Sequence, residues 1–167
     1  LKNPLAALSV NQRFLLAAGL STVAVGIALV TQYAFDMQPC PWCVLQRVLF
    51  MLIAVFCLFA IALRARAARF ALGAAAVTAS LAGISAALYQ HFVAAQLSSC
   101  ALTLADRILN ALGIERWWPA VLAVRASCAD GAVDLLGLPY EFWALGVYVV
   151  TTVVLVGAIA RLRGSSP

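Results

Sequence analysis

Charge is scarce in this chain, and acid is scarcer still. Only 10% of its 167 residues are Asp, Glu, Lys or Arg, and six of them are acidic. An ordinary soluble domain carries about 25% charged residues, so that class is excluded. Histidine is nearly absent: His91 stands alone, which rules out a bis-histidine haem. Outside the ends of the apolar runs there is no basic stripe interleaved with aromatics, so a nucleic-acid partner is excluded. No repeat and no linker-like stretch divides the chain, and residues 1–167 read as a single membrane domain.

What the chain has in place of charge is hydrocarbon. Apolar residues make up 65% of it, with mean hydropathy +1.03. Crossing a bilayer takes about 20 apolar residues. Runs 14–35, 70–90 and 142–160 carry no charge, and run 44–63 carries only Arg47. The first run is too long for a signal-peptide core and lacks a small-residue cleavage site before the next run, so it reads as a retained helix. The expected fold is all-α: an integral membrane four-helix bundle. Gly73, Ala79, Gly83 and Ala87 make the third helix small-faced, which suits the bundle interior.

The placement of charge predicts orientation. Lys2, Arg13, Arg64, Arg66, Arg69, Arg161 and Arg163 fall at one set of helix ends, with no acid among them. The acids Asp36, Asp106, Glu115, Asp130, Asp134 and Glu141 all fall on the other side. By the positive-inside rule both termini and the 64–69 turn are cytoplasmic. Loops 36–43 and 91–141 are then extracytoplasmic. The second loop mixes polar and apolar residues at helical spacing over 104–122, with Trp117 and Trp118 near its end. That pattern predicts a short helix lying in the membrane interface.

Four of the five cysteines face the extracytoplasmic side, where disulfides persist. Cys57, in mid-helix, reads as a small buried hydrophobe. Cys40-Pro41-Trp42-Cys43 opens the second run. Pro41 suits the first position of a helix, with Cys40 as its cap. Cys43 then lies in the first turn, where free N–H groups and the helix dipole favour an anion. Arg47 follows by four residues and shares its face. Both effects favour the thiolate, the form that attacks disulfides and other electrophiles.

Blander readings of these residues exist. The pair could be a structural disulfide, although that leaves Arg47 unexplained. Zinc would need a second close ligand pair, which the chain lacks, so no metal is expected. Arg47 could be an anchor that snorkels to water. Closing the loop between Cys100 and Cys128 would stabilise a fold by about 3–4 kcal/mol, yet two cysteine pairs facing one compartment also suit a thiol–disulfide relay. His91, at the outer end of the third run, can hydrogen-bond a quinone carbonyl or be a plain interfacial histidine.

This pattern resembles the disulfide bond formation protein B (DsbB) family. The likeness rests on the four-run layout, the CxxC with Arg47, Tyr89-Gln90-His91, Cys100 and Cys128 in the second loop, and Asp134-Leu135-Leu136-Gly137-Leu138. It covers nearly the whole chain. The resemblance implies a protein-dithiol:quinone oxidoreductase of the bacterial inner membrane that reoxidises a periplasmic DsbA-like thiol oxidase. Ubiquinone and menaquinone are both open as its quinone. It also implies roles: Cys100 forms the mixed disulfide with the partner, and exchange runs between Cys100–Cys128 and Cys40–Cys43. Cys43 is then the thiolate facing the quinone, with Arg47 and His91 lining that site. Gln46 stands where some relatives carry an acid. The alternatives are a vitamin K epoxide reductase-like enzyme, expected to carry its CxxC later in the bundle, and a non-enzymatic membrane protein with two structural disulfides.

Overall fold

The computed structural model describes residues 8–96, 103–127 and 134–164. Four long helices dominate: α1 (Val10–Ala34), α2 (Pro41–Ala62), α3 (Arg66–Phe92) and α7 (Tyr140–Gly164). Each is long and apolar enough to cross a membrane. Their outward faces carry Val23, Val30, Leu58, Leu81, Val149 and Val153, all exposed on the isolated chain. Such a surface suits lipid, and a helix satisfies its own backbone there. The protein is an all-α integral membrane four-helix bundle.

Each long helix starts a few residues before its apolar run. Ser9 and Gln12 form a capping box at the head of α1. Short connections force α1–α2 and α2–α3 to run antiparallel as neighbours, and α7 closes the square against α1 and α3. The basic ends gather at one end of the bundle: Arg69 Nη2 donates to Asn11 Oδ1, and Arg66 Nη2 to the Arg163 carbonyl at 3.0 Å.

The third helix occupies a corner, and only its small-residue face is interior. Gly73, Ala76, Ala79, Ser80, Gly83, Ala86 and Ala87 are buried on it, while Leu81 and Leu88 look outward. The small face lets α7 approach closely. The Tyr148 ring lies directly over Gly83 and stacks on Phe50, with ring centroids 3.9 Å apart. Its hydroxyl donates to the Gln46 carbonyl at 2.8 Å. A methyl group at position 83 would fall inside that ring, which is pinned on its far side. Gly83→Ala is therefore expected to destabilise the bundle by about 1–3 kcal/mol, read as a lower thermal unfolding midpoint in detergent. An unchanged midpoint would show that Tyr148 can step aside.

Segment 104–122 is not one helix. It breaks into α4 (Leu104–Leu112), α5 (Ile114–Trp117) and α6 (Pro119–Leu122). Gly113 adopts a left-handed conformation (φ 60°) that ends α4, and Pro119 has no N–H to continue α5. Ala105 and Leu109 turn inward, whereas Leu104, Leu112 and Trp117 are exposed. A two-stranded hairpin, β1 (Asp134–Leu135) and β2 (Leu138–Pro139), leads into α7. Leu136 (φ 56°) and Gly137 (φ 80°) make its turn.

Candidate functional site

Cys40 caps α2 as its position before Pro41 implies. Its Sγ accepts the Cys43 backbone N–H at 3.2 Å. The two sulfurs face different surroundings. Cys40 is fully buried, packed with Trp42, Ala86 of α3, Ala94 and Ala105. Cys43 is half-buried and opens on a cavity of about 290 Å³ between α1, α2 and α7. Ile27, Phe50, Trp143 and Val147 give that cavity apolar walls, with Leu135 and Leu136 of the hairpin at its rim. Cys43, Arg47 and Tyr140 also line a second, smaller cleft, of about 20 Å³, against Met37, Gln38 and Pro39.

The polar lining of the large cavity is ordered by hydrogen bonds between helices. Gln90 Nε2 donates to Cys43 Sγ at 3.4 Å, and Gln46 Nε2 donates to Gln90 Oε1 at 2.7 Å. Arg47 is 5% exposed, so it does not snorkel to water. Its Nη1 donates to Gln32 Oε1 at 2.6 Å and to the Val121 carbonyl at 2.9 Å, and its Nη2 to the Ala28 carbonyl at 3.1 Å. Among the described residues no carboxylate lies within ion-pair distance of it. A guanidinium held by neutral oxygens in an apolar wall keeps its charge available for an anion or a polarised carbonyl.

His91 does not line the cavity. It stands behind it, in the last turn of α3, with Nδ1 2.7 Å from Glu141 Oε1. Glu141 is itself in the cavity wall. Cys100 and Cys128 lie outside the described residues, so the second cysteine pair has no geometry here. Cys57 is in the core with Phe14, Ile53 and Ala60, in a different cluster from Cys40 and Cys43.

Four residues at the site have no site role assigned from sequence: Gln32 and Tyr140, Gln90, which appears there only within a motif, and Glu141, which appears only as an orienting acid. A signal for the two glutamines exists. A polar side chain inside a spanning run is expensive, and it marks function or a buried bond.

The comparisons with known proteins agree with this architecture. The family described as "Disulfide bond formation protein DsbB" matches residues 11–158. "Disulfide bond formation protein B 1" of Pseudomonas putida is 32% identical over 155 residues, 92% of each chain. "Disulfide bond formation protein B" of Nitrosomonas europaea is 30% identical, covering 92% of this chain and 94% of its own. The Ralstonia nicotianae protein of that name is 33% identical, covering 89% and 92%. A matched family over most of the length, four spanning helices and a CxxC at a helix start lead to one conclusion: the chain belongs to the DsbB family, and it is a multi-pass membrane oxidoreductase of disulfide bond formation.

Proposed function

We propose that the protein oxidises a soluble periplasmic dithiol protein, of the DsbA kind, and passes the electrons to a membrane quinone. The observation that carries this reading is the cavity in which a CxxC thiol and an arginine with no carboxylate partner among the described residues meet apolar walls. Its volume is near the small end of the usual range for ligand pockets. Apolar sides suit a ring and its tail, and the polar cluster at Cys43 and Arg47 suits a carbonyl oxygen. The residues present therefore fit a quinone, which when bound supplies a two-electron, two-proton acceptor soluble in the bilayer.

The chain's own part follows from the two environments of the CxxC. Cys40 is buried against Ala94 and Ala105, which lie before and after Cys100 in the second loop. Cys43 faces the acceptor cavity. Cys40 is thus suited to exchange with Cys100 of the Cys100–Cys128 pair, and Cys43 to hand on electrons. Arg47 holds negative charge at Cys43 and at the facing oxygen. Gln90 orients the Cys43 sulfur by its hydrogen bond. The termini and the 64–69 turn lie on the cytoplasmic side of the inner membrane, and the α4–α6 segment rests in the outer interface with Trp117 towards lipid headgroups.

Arg47 variants test this. Arg47→Gln is expected to slow quinone reduction by about 10²-fold, the usual effect of removing one aimed donor. Trapping of the mixed disulfide between partner and Cys100 stays near normal. Arg47→Lys recovers part of the rate, since charge survives but the planar fork does not. The two half-reactions are read separately, by trapping and by quinone absorbance. A variant that fails at trapping but reduces quinone normally from a small dithiol would put Arg47 at the partner interface and remove the quinone from this cavity.

A further inference from the structure

Glu141 has no part in the reading so far, and its environment is unusual. It sits in the first turn of α7, 4% exposed, at the wall of the cavity that Cys43 and Arg47 also line. Its Oε1 is engaged by His91 Nδ1 at 2.7 Å. Its Oε2 is buried and has no hydrogen-bond partner among the described residues. A buried carboxyl oxygen without a partner is costly, so a ligand atom that meets it gains. His91 is 31% exposed, wedged between Phe92 and Phe142, and connects Glu141 to the surface. The other titratable or charged groups on this cavity are Cys43, Arg47 and Tyr140.

We propose that Glu141 carries a proton to the quinone, from Oε2, and is refilled from water through His91. This inference rests on the quinone reading above. Closing the Cys40–Cys43 S–S bond releases two electrons; Cys40 loses its thiol proton in that step, and Cys43 has already given its own to water on becoming a thiolate. The electrons and two protons end on the two carbonyl oxygens of the acceptor. One of those protons leaves Glu141 Oε2, while a thiol proton goes to water in exchange, so the total is unchanged. His91 takes a proton at one ring nitrogen and gives one from Nδ1 to Oε1. A half-turn of the carboxyl about its Cγ–Cδ bond then brings that proton to the Oε2 position.

The test separates binding from proton delivery. Binding of a short-chain benzoquinone is titrated by quenching of Trp143, which lines the cavity, in a Cys43→Ser protein that transfers no electrons. The rate is taken in a single turnover of pre-reduced protein with the same quinone, in H₂O and in D₂O. Glu141→Gln is expected to change affinity less than twofold and to slow the single turnover by about 10²-fold, the range of a lost general acid. Glu141→Asp retains more rate than Gln, and His91→Gln slows turnover less than Glu141→Gln. The solvent isotope effect rises in the His91 variant, because refilling becomes limiting. A wild-type rate in Glu141→Gln, a parallel loss of affinity and rate, or a Gln variant faster than Asp overturns the proposal. Failure of the Cys43→Ser protein with native Glu141 to bind the benzoquinone overturns the quinone reading instead.

Discussion

Serine at position 43 is expected to stop delivery of electrons to the quinone, lowering turnover by about 10³-fold or more, roughly 4 kcal/mol of barrier. Cys43 is the CxxC sulfur on the large cavity between α1, α2 and α7; Cys40 is buried on the other side, against α3 and the second loop. Serine keeps the size of the side chain and can still accept the hydrogen bond from Gln90, so the bundle should insert and fold. What is lost is the S–S bond that forms as two electrons leave. Cys57→Ala is the matched control, because Cys57 is a core residue that does not line the cavity, and turnover should survive there. Quinone absorbance after mixing with pre-reduced protein reads both variants. Substantial reduction by the Cys43→Ser protein would move the acceptor to another thiol.

Loss of either Cys100 or Cys128 should abolish oxidation of the thiol partner while the protein still inserts in the membrane. Thiol–disulfide exchange proceeds by attack on one sulfur with departure of the other, so half a pair cannot complete the cycle. Each variant should nonetheless reduce quinone from a small dithiol added directly, since Cys40, Cys43 and the cavity are untouched. That pairing of results is what a relay demands. Full turnover with the partner in both variants would make the second pair structural or dispensable. Loss of the small-dithiol reaction as well would mean that the second loop is needed to shape the cavity.

The four spans are legible in the sequence because lipid imposes a length and a polarity on each helix. The head of α2 is equally legible: Cys40-Pro41 fixes the cap, and the cap fixes Cys43 in the first turn. Rotation of the helices about their axes is not legible. That is why the contact of Gln46 with Gln90, and of Arg47 with Gln32, emerges only when α1, α2 and α3 are set side by side. Glu141 reads in the sequence as one of six acids marking the outer face. The hairpin turn at Leu136–Gly137 and the start of α7 fold it inward, against His91. His91 lies at the expected level but behind a carboxylate. The single helix expected over 104–122 is interrupted at Gly113 and Pro119, where backbone chemistry overrides the apolar spacing.

The contact between Gly83 and Tyr148 also imposes an order on descent. The two positions cannot vary independently, because the tyrosine ring occupies the volume that any side chain at 83 would need. A lineage can reach alanine at 83 by first shrinking residue 148, and pays for the reverse order with an unstable intermediate. Substitutions in direct contact are the ones that fail to add. Phe50 and the Gln46 backbone, which hold the other face and the hydroxyl of that ring, belong to residues bordering the cavity at Cys43. Drift at Gly83 is thus tethered, through Tyr148, to the shape of the cavity that Cys43 lines.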